Sequence, residues 1–128
     1  MANRNFYPSR GSLSREIVKL YGSATIGSSG AISASSAKGF SIAKTAGETG
    51  RYTITLDDVY TAFRGATVTI TGVTDAALTV LYAGVRNVDV TSAKTLDIQC
   101  VGAIGTDTDP ASGNVLNIEL TLQNGSDV

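Results

Sequence analysis

Between Gly50 and Gly72 the chain alternates with a period of two. Tyr52, Ile54 and Leu56 fall on one side, and Arg51, Thr53 and Thr55 fall on the other. After a short polar and aromatic turn, Val68 and Ile70 alternate with Thr67, Thr69 and Thr71. Successive side chains of a strand point to opposite faces, so this pattern predicts two strands of a sheet with one buried face. The same alternation recurs on both sides of the stretch. Phe40, Ile42 and Lys44 mark a strand over Gly39–Thr45, and the turn AGETG joins it to Gly50–Leu56 as an antiparallel pair. Downstream, Leu78, Val80 and Tyr82 mark a third strand after that pattern. Val88 and Val90 mark a short fourth over Arg86–Val90, and Leu96, Ile98 and Cys100 a fifth over Lys94–Val101. Leu116, Ile118, Leu120 and Leu122 close the chain, with Glu119, Thr121 and Gln123 facing away from that core.

Three segments break the alternation. In Asp57–Gly65, Asp57 or Asp58 is placed to cap a helix by accepting backbone N–H bonds, Val59 and Phe63 stand four apart, and Gly65 suits a left-handed helix end. One helical turn lidding the sheet is expected there. Near the start, Arg15–Tyr21 (REIVKLY) fits neither period well and is read as extended. Ser23–Lys38 is a Gly/Ser/Ala run with apolar marks only at Ile26 and Ile32, either a linker or flat strands that let another chain approach closely. The expected fold is therefore all-β: a small antiparallel β-sandwich or barrel of about seven strands, with an extended N-terminal arm and one short helical turn. The expected division is an arm and Gly/Ser/Ala-rich segment over residues 1–38 and a β body over residues 39–128.

Composition sharpens this picture. With 128 residues the chain suits one domain with a modest core. Charged residues make up 16%, against roughly 25% in ordinary soluble domains; a charge-poor surface suits contact with other proteins. Net charge is −1, which gives no bulk attraction to nucleic acid. The charge is uneven. Residues 1–22 carry four basic residues (Arg4, Arg10, Arg15, Lys19) against Glu16, a net +3, and the remainder carries six basic against ten acidic, a net −4. A basic arm on an acidic body suggests docking on an acidic surface, and Phe6 and Tyr7 add an aromatic anchor held extended by Pro8. Arg4, Phe6, Tyr7, Arg10, Arg15 and Lys19 are thus the candidate protein-interface residues.

Catalytic chemistry is sparse. The chain has no histidine, which removes Ser-His-Asp and Cys-His catalysis and His-based zinc sites. Its one cysteine, Cys100, alternates with Leu96 and Ile98 and reads as a buried structural thiol. No phosphate-cradling G-x-x-x-x-G-K-[ST] loop occurs. Asp57-Asp58 could be a paired-carboxylate site, but capping explains them without a partner. Asp107-Thr108-Asp109 could offer oxygen ligands to Ca²⁺, but the glycine is misplaced for an EF-hand and Ile118 stands where its twelfth-position glutamate would be. A long hairpin loop with turn chemistry fits that stretch better. No catalytic, cofactor or metal residues are assigned, and the protein is expected not to be an enzyme. No apolar run approaches the roughly 18 residues of a membrane span, and MANRNFYPSRGSLS has no apolar signal region.

Lys38–Tyr60 (KGFSIAKTAGETGRYTITLDDVY) and the tail NVLNIELTLQNGSDV resemble small structural proteins of tailed bacteriophages. The shared features are a strand, a Thr/Gly turn, a G-x-Y-T-[IV]-T-L strand and a last strand ending in a short Asn/Ser tail, over about half of the chain. The resemblance implies a virion component made in the host cytoplasm, with no catalytic residues to carry over. The expected function is a capsid decoration or cement protein that bridges shell subunits non-covalently. It implies the major capsid protein or other virion proteins as partners, a homo-oligomer with a trimer favoured, and neither nucleic acid nor membrane. The alternative is a tail-fibre or head-fibre module binding a receptor or glycan, with Tyr60–Phe63 as its exposed aromatic loop.

Overall fold

The computed structural model describes residues 16–72, 80 and 82–124. They form eight strands: β1 Glu16–Ile26, β2 Ile32–Ala37, β3 Phe40–Lys44, β4 Arg51–Leu56, β5 Ala62–Thr71, β6 Tyr82–Asp89, β7 Thr95–Val101 and β8 Val115–Asn124. One sheet has the order β2-β1-β8-β5 and the other β3-β4-β7-β6, and every neighbouring pair is antiparallel. The architecture is a two-sheet sandwich, not a closed barrel.

The period-two pattern sets the core directly. Tyr52, Ile54 and Leu56 of β4, Leu96, Ile98 and Cys100 of β7, and Leu116, Ile118, Leu120 and Leu122 of β8 are all buried. Register puts like with like: Ile54 lies opposite Ile42 and Leu96, and Leu120 opposite Leu20 and Ala66. Each such side chain contributes about 1.5–3 kcal/mol by leaving water. The two sheets approach closely where β1 carries Gly22. A Cβ there would lie 2.6 Å from both Ala37 Cβ and Phe40 Cζ, so the missing side chain makes room for the Phe40 ring of the opposite sheet.

Several expectations change. The helical turn over Asp57–Gly65 is absent: Asp57–Thr61 bends across from one sheet to the other, and Ala62–Gly65 already belongs to β5. Tyr60 N–H donates to Val90 O and Thr61 N–H to Gln123 O, so pairing to the two sheets replaces local helical bonds. Asp57 and Asp58 are exposed and cap no helix, and Tyr60, not Val59 with Phe63, fills the core beneath the bend. Residues 16–37 form β1 and β2. β1 runs antiparallel to β8 from Glu16 to Thr25, in the interior of its sheet, so the body includes much of the segment assigned to the arm. Small side chains made that segment look like a linker, yet they suit a strand packed close to its neighbours.

The third and fourth strands merge into β6. Leu78 lies outside the described residues, Val80 is buried ahead of the strand, and Tyr82 begins it facing solvent. A bulge between Arg86 and Asp89, with Asn87 at φ 54, interrupts the alternation, leaving Val88 exposed and Val90 buried. The stretch 102–114 is not a hairpin loop. It crosses from β7 in one sheet to β8 in the other and is bonded along the way: Thr108 N–H donates to Cys100 O, Gly113 N–H to Ile26 O, and Ile26 N–H to Asn114 O. Pro110 and Asn114 are fully buried beneath it.

Candidate interaction surfaces

Five of the six candidate interface residues (Arg4, Phe6, Tyr7, Arg10 and Arg15) lie outside the described residues. The sixth, Lys19, sits on the outer face of β1. Its ammonium lies 3.2 Å from Glu119 Oε2 and donates to Thr121 Oγ1 at 3.3 Å, both on the adjacent β8. The pair is well exposed, so it contributes little, about 0–1 kcal/mol.

The outer face of the β3-β4-β7-β6 sheet is occupied by its own side chains. Asp97 accepts from Thr53 Oγ1 at 3.0 Å and from Asn87 Nδ2 at 2.9 Å. The Thr45 and Thr53 hydroxyls bond at 2.7 Å. Arg51 Nε donates to Gln99 Oε1 at 3.0 Å, and Gln99 Nε2 donates to Thr49 O at 2.9 Å. Threonine, aspartate and glutamine alternate here with core residues, so the sheet's own register assembles the network.

At the end of the sandwich below the β3–β4 turn, the Asp109 carboxylate accepts Gly50 N–H at 2.6 Å and pairs with Lys44 Nζ at 3.1 Å. Lys44 also donates to Glu48 O at 2.5 Å and lies 5.6 Å from the Tyr52 ring centroid. The Tyr52 hydroxyl donates to Gly30 O at 2.7 Å, fastening the β1–β2 turn to β4 of the other sheet. Gly50 is required at this junction: its φ is +70, and a Cβ would lie 2.6 Å from Thr108 O and 2.8 Å from Cys100 O. Burial is the main cause that pushes the Cys100 thiol up to about 12; Asp109 raises it further and Lys44 opposes. Burial also drives the Tyr52 phenol far above its usual range, helped by Cys100 and Asp109. A thiol held protonated and fully enclosed is no nucleophile. Asp109 is a structural clamp, and among the described residues no cluster of three or more Asp, Glu or Cys is arranged to hold a metal ion.

The outer face of the β2-β1-β8-β5 sheet is less knitted. Asn117 Nδ2 reaches Thr71 Oγ1 at 3.0 Å, and Arg64 donates to Gln123 Oε1. Between them lies a shallow groove of about 310 Å³ lined by Tyr21, Thr67, Thr69, Asn117 and Glu119, with the backbone of Gly22 and Ile118 as its floor. Register explains the lining, because Tyr21, Glu119 and Thr67 stand in one cross-strand row and Asn117 and Thr69 in the next. Tyr21 is 59% exposed. The Tyr60–Phe63 loop cannot serve as an exposed aromatic site, since Tyr60 is buried and Phe63 is half-buried against the core.

The most exposed large apolar side chain among the described residues is Ile104, at 98%. It sits in the turn Ala103–Gly105 at φ 51, ψ 32, a left-handed conformation that costs a β-branched residue. It belongs to no strand, so alternation does not mark it; the signal in the sequence is an isoleucine set between Gly102 and Gly105 with no alternating partner. Tyr82, Val59, Tyr21 and Ile17 also present apolar area to solvent. Neither a family model, nor a curated protein, nor a solved structure matches this chain.

Proposed function

We propose that this chain is a virion structural protein of a tailed bacteriophage, a capsid decoration protein that cements the head by non-covalent contact. The observation that carries the reading is how its surface is divided. Most of the polar groups described above are committed to internal hydrogen bonds, while Ile104, Tyr21, Tyr82, Val59 and Ile17 stay in water. Such a surface suits burial against other proteins. The resemblance of residues 38–60 and of the tail to phage structural proteins supports the same reading. Cementing requires only that each copy bury apolar area across a joint between shell subunits, so that separating them costs more. A contact of standard size, on the order of 1,600 Å² in total, suffices at repeated sites. The basic arm, with Arg4, Phe6, Tyr7, Arg10 and Arg15, would reach the neighbouring subunit.

The test adds purified protein to expanded heads that lack it, then measures co-sedimentation and the temperature of head disruption. Binding with a raised disruption temperature is expected, and deleting residues 2–14 should reduce both. Equal binding and protection by the truncated chain would sink the role of the arm; no binding by either would sink the cement reading.

A second reading is a fibre module that binds a glycan. The groove at Tyr21 favours it, because an exposed aromatic ring beside Asn117, Glu119, Thr67 and Thr69 offers a stacking face and hydrogen-bonding groups. Glycan-array binding that is lost in Tyr21→Ala would support this reading over the first.

A further inference from the structure

We infer that β2 pairs edge to edge with β2 of a second copy of this chain, about a two-fold axis at Ser36. Among the described residues the sandwich has four edge strands: β2 and β5 in one sheet, β3 and β6 in the other. Edges expose unpaired N–H and C=O groups, and proteins guard them with charges, bulges or short length. Three of these edges are guarded. β5 carries Arg64 and a bulge between Phe63 and Gly65. β6 carries Arg86 and a bulge between Arg86 and Asp89. β3 has five residues and ends in Lys44. β2 (ISASSA) carries no charge and no proline, its one bulge lies at Ser33 beside the turn from β1, and Ser33–Ser36 are all exposed.

The direction of its backbone groups follows from one hydrogen bond. Lys38 N–H donates to Tyr21 O, and the register pairs Ser36 with Ser23 and Ala34 with Thr25. In an antiparallel ladder the bonded residues alternate. Ala34, Ser36 and Lys38 therefore turn their backbone groups toward β1, and Ser35 and Ala37 turn theirs outward. The register shift at Thr25/Ile26 confines the regular edge to residues 34–38, whose midpoint is Ser36. A two-fold axis there lets Ser35 exchange both bonds with Ala37 of the second copy, and Ala37 with its Ser35. The pattern is self-complementary, Lys38 falls opposite Ala34 and not opposite another lysine, and the remaining facing side chains are alanine and serine. The result is a continuous eight-stranded sheet. This inference does not depend on a place in a virion.

The contact is small. A six-residue strand spans about 20 Å, so the pair falls below the ~1,200 Å² of standard interfaces and should populate at high protein concentration. The full chain is followed by sedimentation from about 10 µM to about 1 mM, where contacts this small associate. A rising dimer fraction is expected, lost in Ser35→Pro. That substitution removes an N–H that faces away from β1, so the fold should survive, as circular dichroism checks. In parallel, Ser36→Cys is oxidised mildly and run on non-reducing gels. Facing residues of a non-bonded antiparallel pair lie about 4.5 Å apart at Cα, within disulfide reach, and the buried Cys100 does not compete. Ser36→Cys should cross-link at least tenfold faster than Ala43→Cys on the edge strand β3. A wild-type chain that stays monomeric at 1 mM overturns the pairing and leaves the edge to a strand of another protein. Undiminished dimer in a folded Ser35→Pro, or equal cross-linking at 36 and 43, also overturns it.

Discussion

Replacing Tyr52 by phenylalanine isolates one link between the two sheets. The ring is fully buried in β4, and its hydroxyl donates to Gly30 O at 2.7 Å. Gly30 is itself buried at φ +78, with its Cα face against Asp109, where a Cβ would lie 2.6 Å from Cγ. The turn is therefore held from two sides and has little freedom to find water when the hydroxyl is removed. Tyr52→Phe keeps the ring and its packing, opens almost no cavity and deprives the Gly30 carbonyl of this donor. Loss of a buried hydrogen bond of this kind costs about 1–3 kcal/mol. For a domain of this size each kcal/mol lowers Tm by roughly 4 °C, so a fall of about 4–12 °C is expected in thermal unfolding at pH 7. Urea unfolding should show a lower midpoint with an unchanged slope. A loss below about 0.5 kcal/mol would refute the reasoning, since it would mean that the Gly30 carbonyl finds another partner at no cost.

The clamp at Asp109 splits into two parts. Asp109→Asn keeps an acceptor for Gly50 N–H and should cost under about 1 kcal/mol, whereas Asp109→Ala loses both bond and ion pair and should cost about 1–3 kcal/mol by denaturant unfolding. Leu120→Ala, at a fully buried site of β8, should cost about 2–5 kcal/mol, while Lys19→Ala on the outer face should stay within about 1 kcal/mol. Stability should fall at alkaline pH. Cys100 is raised from 9.0 to about 12 and Tyr52 is raised well above its usual 10.0, so the unfolded chain releases the thiol proton above pH 9 and the phenol proton above pH 10 while the folded one retains both. The stabilisation from Cys100 is complete below pH 9 and is lost as pH rises toward 12, and that from Tyr52 is complete below pH 10 and is lost above it, with a slope of up to about 1.4 kcal/mol per pH unit for each group. Cys100→Ala should remove the part of that slope that begins near pH 9, measured as urea midpoints from pH 8 to 11.

Strands whose apolar residues alternate without interruption were legible in the sequence. The apolar positions of β4, β7 and β8 follow the pattern because each strand is flanked on both sides and buries one full face; the one departure is Gln99 of β7, a polar residue buried on the outer face. Legibility failed where tertiary pairing overrode local signals. Asp57, Asp58, Val59, Phe63 and Gly65 have the spacing of a capped helical turn, but Thr61 N–H is taken by β8 and Tyr60 N–H by Val90, which draws the segment into an extended crossover. The extended reading of Arg15–Tyr21 agrees with the first half of β1, but the Gly/Ser/Ala run left the rest of β1 and β2 open between linker and strand. Small side chains carry almost no periodic signal, and the strand character comes from pairing of β1 with β8 and of β2 with β1. The groove at Tyr21 and the clamp at Asp109 each join residues distant in the chain, and no spacing rule reveals such pairs. The basic aromatic arm stays an expectation from the sequence, since apart from Lys19 its residues lie outside the described ones.

A cryo-electron-microscopy map of heads assembled with and without this chain tests its assignment as a cement protein most directly. Extra density the size of the two-sheet sandwich is expected at repeated positions across joints between shell subunits. Identical head maps, or density found on a tail or fibre alone, would contradict it.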